Sequence, residues 1–139
     1  MWCGSLSHNG LTGLGAATDF APHQIGHELS GKFDVAHGAS LCAIWGSWAK
    51  YCYKAKPERF TRFAKQVWGI EKGSYEETGH AGMDATVEFF TSLGMPTCFT
   101  ELGIGVQNEE ILAELADRCV FYGKDRKSTR LNSSHQYYL

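Results

Sequence analysis

The 139-residue sequence lacks the features that mark several broad functional classes. Charge of one sign is missing, since 13 basic and 15 acidic residues leave a formal net charge of -2. No Lys/Arg cluster breaks that balance before the last dozen residues, so there is no field to steer nucleic acid or an anionic bilayer. Long apolar runs are missing too: none reaches about 18 residues and no signal-peptide pattern opens the chain, so a soluble, cytoplasmic protein is expected. The five cysteines, Cys3, Cys42, Cys52, Cys98 and Cys119, are scattered and never form a C-x-x-C pair. Such spacing suits neither a disulfide framework nor a thiolate zinc site, and points to reduced core thiols. No convincing strand pattern is present.

What remains is the composition of an ordinary globular domain, 43% hydrophobic and 20% charged, enough for one modest core. Met1 to Leu6 is already core-like, without a polar lead-in or a helix cap, and reads as the interior of a longer domain. Gly10, Gly13 and Gly15 mark a break, after which Thr18 or Asp19 is placed to cap a helix running to about Leu29, with Gly31 and Asp34 punctuating its end. A second helix is expected from about His37 to Lys54, its apolar face carrying Leu41, Ile44, Trp45, Trp48 and Tyr51. Pro57 suits the first turn of a third, with Phe60, Phe63, Ala64 and Val67 inward before Gly69 stops it. Ser74-Tyr75-Glu76-Glu77 is a capping box for a fourth helix ending near Leu93, ahead of Gly94 and Pro96. Residues 95–107 read as a connector, and Asn108 caps a last helix with Ile111, Leu112, Leu115 and Cys119 as its buried stripe. The fold class is therefore all-α over residues 1–126. Residues 127–139 lose helical periodicity and read as a non-native or disordered tail, which sets His135 apart from the fold.

Three of the six histidines fall between residues 23 and 37. His23 and His27 are four apart, so on a helix they project from one face a turn from each other. His37 lies fourteen residues beyond His23, at the start of the next helix, where a helical hairpin can fold it back. Neutral imidazole suits borderline divalent ions such as zinc and ferrous iron, and facing helices often supply the ligands. The competing reading is structural, because an isolated His on an amphipathic helix is more often hydrogen-bonded than ligating. A hydrolytic zinc site is excluded on one residue: H-x-x-x-H needs a Glu directly after the first His, and Gln24 stands there.

The segments Ser7-His8-Asn9-Gly10-Leu11-Thr12-Gly13-Leu14-Gly15, Ala21-Pro22-His23-Gln24-Ile25-Gly26-His27-Glu28-Leu29-Ser30 and Asp34-Val35-Ala36-His37-Gly38 resemble the iron-containing alcohol dehydrogenases, in particular their butanol dehydrogenase-like branch. The resemblance runs from residue 1 to about 126. It implies the helical, metal-binding C-terminal domain of a two-domain dehydrogenase, with His23 and His37 as ligands to Fe2+ or Zn2+. It also implies that His27 sits near the nicotinamide end of NAD(P)H and assists proton movement; Glu28 receives no role. In that family an Asp and a further His complete the metal sphere upstream, and an α/β dinucleotide-binding domain precedes this region. Neither is contained in the 139 residues, and Gly13-Leu14-Gly15-Ala16-Ala17-Thr18 lacks the third glycine of a phosphate loop.

The activity so implied is hydride transfer between a primary alcohol or aldehyde and nicotinamide, in a homodimeric full-length enzyme, with the fragment inactive alone. Two alternatives stay open: a non-catalytic helical interaction module with structural histidines, and a zinc-using relative such as a glycerol dehydrogenase. His8 with Asn9 reads as a helix-terminal polar pair more readily than as a wall of the cleft. His80, on a predicted helix far from the cluster, reads as exposed or locally hydrogen-bonded.

Overall fold

The computed structural model describes residues 1–14 and 20–120, and every regular element among them is helical. Helix α1 spans Trp2–His8 and leads into a short 3-10 turn, Leu11–Gly13. The following elements are α2 (Ala21–Phe33), α3 (His37–Tyr53), α4 (Pro57–Phe63), α5 (Tyr75–Ser92) and α6 (Glu109–Cys119). The all-α expectation holds, and no helix among the described residues is long and apolar enough to cross a membrane. The proposed caps at Thr18 or Asp19, and the tail from 127, lie outside the described residues.

Two apolar clusters hold the helices together. In the first, Leu29 of α2, Ile44 of α3 and Leu115 of α6 are buried, flanked by Ile25, Phe33, Ile111 and the connector residues Phe99, Leu102 and Ile104. The second joins Ala49 and Tyr53 of α3 to Met83 of α5, with Trp45, Trp48 and Phe60 packed against it. Helix α3 belongs to both clusters and is the spine of the domain. At the 25 cal/mol per Å² of apolar surface removed from water, each fully buried Leu, Ile or Met contributes roughly 1.5–3 kcal/mol.

Local signals set several boundaries correctly. Ser74 accepts from the amide of Glu77 at 3.1 Å while the Glu77 carboxylate accepts from the amide of Ser74 at 2.9 Å, closing the capping box of α5. Asn108 accepts from the amide of Ile111 at 2.9 Å and starts α6. Three expectations are corrected. Helix α2 runs past Leu29 and through Gly31 to Phe33, because Phe33 still has core to pack against, and it ends on the expected Asp34, whose φ of 53° is left-handed. Val67 is not inward: α4 widens into a π-turn at Ala64–Trp68, which leaves Val67 exposed and sends the Trp68 indole N–H inward to Thr86 Oγ1 at 2.9 Å. Among the thiols, Cys3 and Cys98 are exposed rather than core, while Cys119 is buried and its pKa is pushed up to about 12, chiefly by that burial.

The core-like opening of the sequence does not form core within this chain. No residue of α1 is buried, and Trp2 is 74% exposed.

Candidate metal centre

Helices α2 and α3 meet through small side chains, and that contact brings the histidines together. Gly26 is buried on α2, where an added Cβ would lie 3.0 Å from both Leu41 Cδ2 and Ser40 Oγ. The buried Ser40 hydroxyl donates to the His37 carbonyl at 2.8 Å and lies 3.1 Å from the Gly26 carbonyl, which shares its proton. The first turn of α3 is thereby pinned to the middle of α2. His23 and His37 stand one turn along from Gly26 and Ser40, with the same fourteen-residue offset, so fixing one pair places the other.

The three predicted site residues converge. Ring centres of His23 and His37 are 5.5 Å apart, those of His27 and His37 are 4.8 Å apart at a 30° tilt, and those of His23 and His27 are 6.3 Å apart, edge to face. His27 and His37 are exposed and His23 is half-buried, so the cluster opens to solvent. Burial pushes the His23 pKa down, and the neighbouring His37, His27 and His8 lower it further. The neutral, ligating form of that imidazole is favoured. His8, at the end of α1, is thus close enough for its charge to be felt at His23, a proximity that the linear sequence left open.

Two imidazoles that share one ion through nitrogens at about 2.1 Å place their ring centres roughly 5 Å apart. The 5.5 Å separation of His23 and His37 and the 4.8 Å separation of His27 and His37 both lie near that figure, with the rings tilted by 56° in the first pair and 30° in the second. Among the described residues no group of three or more His, Cys, Asp or Glu side chains is arranged to hold a metal.

The residues outside the cluster have structural partners. Glu28 pairs with Arg118 at 2.6 Å, raising the Arg118 pKa, and Glu114 binds Lys32, so α2 and α6 are joined by charge as well as by core. His80 is half-buried with its ring 4.7 Å from that of Tyr53, and its Nε2 lies 3.9 Å from Glu76. Gly26 and Ser40 were missed as positioning residues. Their only signal is that each stands three places after a histidine.

An all-α domain whose helices α2 and α3 bring imidazoles together defines a class that comparison makes specific. Residues 7–130 match the Fe-containing alcohol dehydrogenase family, C-terminal, and the chain belongs to that family. It is 35% identical over 120 residues to NADH-dependent butanol dehydrogenase A of Clostridium acetobutylicum, covering 85% of this chain and 31% of that protein. It is 33% identical to the NADPH-dependent aldehyde reductase YqhD of Escherichia coli over 75% of this chain and 27% of that protein. The crystal structure of NADH-dependent butanol dehydrogenase A from Thermotoga maritima superposes with a TM-score of 0.75 at 32% identity, over 86% of this chain and 29% of that one. The chain therefore spans about a third of the length of the relatives it matches.

Proposed function

We propose that this chain is the metal-binding C-terminal part of an NAD(P)H-linked alcohol dehydrogenase or aldehyde reductase, with His23 and His37 as two metal ligands. The reading rests on family membership together with one observation, the 5.5 Å spacing of those two imidazoles on helices held in register by Gly26 and Ser40. Relatives of this chain are NADH-dependent butanol dehydrogenases and an NADPH-dependent aldehyde reductase, so the substrate class is a small primary alcohol or aldehyde.

A divalent ion, Fe2+ or Zn2+, supplies Lewis acidity toward the substrate oxygen when bound, and the nicotinamide supplies the hydride. The chain's own residues do the positioning. His23 and His37 hold their nitrogens in place because the Ser40 hydroxyl ties α3 to α2. His27, exposed and 4.8 Å from the His37 ring, holds or moves a proton at the substrate oxygen on the open side of the pair. The remaining ligands and the dinucleotide-binding domain belong to a longer polypeptide.

The test measures NAD(P)H oxidation with butyraldehyde and added ferrous iron or zinc in the full-length protein that carries this chain. Activity is expected there, and a wild-type rate for His37→Ala would refute the ligand assignment.

A further inference from the structure

The Phe20 ring touches the histidine cluster without a part in the metal or proton chemistry. Phe20 is the N-cap residue of α2, its ring centre 5.8 Å from that of His23 and edge-on at 74°. Helix N-caps favour Ser, Thr, Asp or Asn, whose side-chain oxygens accept from free amides. Phe20 makes no such bond, and only its carbonyl serves the helix, accepting from the Gln24 amide at 2.9 Å. Nor is the ring placed there for burial, since Phe20 remains 49% exposed. A residue that forgoes the local capping interaction and gains little core in return is of the kind found at functional sites.

The surroundings say what such a ring serves. His27, and a metal held by His23 and His37, would take the reacting oxygen, but an aldehyde also carries a carbon chain that must leave water somewhere beside them. Phe20 supplies an exposed apolar surface in contact with His23, at the edge of the cluster. We propose that Phe20 is the apolar wall of the substrate site, a specificity-determining residue that packs on the carbon chain of an aliphatic aldehyde whose oxygen faces His23 and His37. This rests on the reading of those two histidines as metal ligands.

The experiment compares Phe20→Ala, Phe20→Trp and the unaltered full-length protein with acetaldehyde and hexanal, while counting bound metal by mass spectrometry and measuring the KM for NAD(P)H. Phe20→Ala is expected to lower the ratio of kcat/KM for hexanal to that for acetaldehyde roughly tenfold, as losing an apolar contact in a pocket does. The loss should fall on the KM for hexanal, with metal content and the nicotinamide KM unchanged. Phe20→Trp is expected to keep the preference for the longer chain. An unchanged ratio in Phe20→Ala would overturn the proposal, and so would an equal fall for both aldehydes accompanied by lost metal, which would make Phe20 a prop for His23. If the unaltered protein holds metal that His37→Ala removes, yet reduces neither aldehyde, the reductase reading itself fails and the substrate wall falls with it.

Discussion

Where α5 meets α3 and α4, the helices touch through glycine. A Cβ on Gly79 would lie 2.5 Å from Tyr53 Cε2, and one on Gly82 would lie 2.8 Å from the Ala64 backbone Cα. Where the first two turns of α2 meet the first turn of α3, the facing groups are imidazoles, two of them exposed. The first contact has no space for a methyl group, and the second is open to solvent. Both ends are joined by α3, so the tightly packed end can carry stability while the other leaves polar groups available to a ligand. Between them lies the Gly26 and Ser40 contact, which has the close approach of the first region and the polar partners of the second.

That division of labour can be broken from either side. The largest effect is expected from His37→Ala in the full-length protein, where losing a proposed ligand should reduce turnover by roughly three orders of magnitude, equivalent to several kcal/mol of transition-state stabilisation. Its melting temperature, measured without metal, should hardly move, because His37 is exposed. Gly82→Ala should do the reverse at the other end. Overpacking against a backbone atom costs about 3 kcal/mol, read as a lower denaturant midpoint for this chain. A Gly82→Ala chain as stable as the original would show that the two helices separate easily and that the contrast is false.

Ser40→Ala tests the hinge between the regions. Removing a buried hydroxyl that serves two carbonyls should cost about 1 kcal/mol. It should also weaken zinc binding by the full-length protein, measured by competition with a chelator, more than an equally destabilising change near Met83 does. Equal weakening would show that Ser40 contributes only to stability.

The smallest effect concerns pH. His23 has its pKa lowered in the folded chain by burial and by the other histidines, so the unfolded chain binds the proton more readily. Stability from this group is present above the ordinary histidine value of about 6.5 and is lost as pH falls below it toward the lower folded value. Melting curves of the metal-free chain should therefore decline on acidification through that range, and His23→Gln should flatten the decline. An identical pH profile in the variant would assign the effect to other groups.

Legibility from sequence differed between the same two regions. The caps at Ser74 and Asn108 were readable because a capping oxygen and the amides it serves are only two or three residues apart. The histidine spacing was readable for the same reason: four residues on one helix and fourteen across a short connection limit where imidazoles can go. The π-turn at Ala64–Trp68 was not readable, since a regular 3.6-residue period sends Val67 inward and only the pairing of Trp68 with Thr86 shows why the turn widens. The continuation of α2 past Gly31 was hidden likewise. Its reason is the cluster of Leu29, Ile44 and Leu115, against which Phe33 packs together with the distant residues Phe99, Leu102 and Ile104.

Local pattern alone thus determined that this chain is helical, where most of its helices begin, and which three histidines form its one concentrated set of candidate ligands. Those properties depend on hydrogen bonds and side-chain periodicities a few residues long. Tertiary structure decided how closely the three imidazoles approach one another, that Gly26 and Ser40 hold α2 and α3 in register, and that Phe20 stands exposed beside His23. Each of these depends on how closely two helices approach, a distance set by side chains remote in sequence and recorded in no single segment of it.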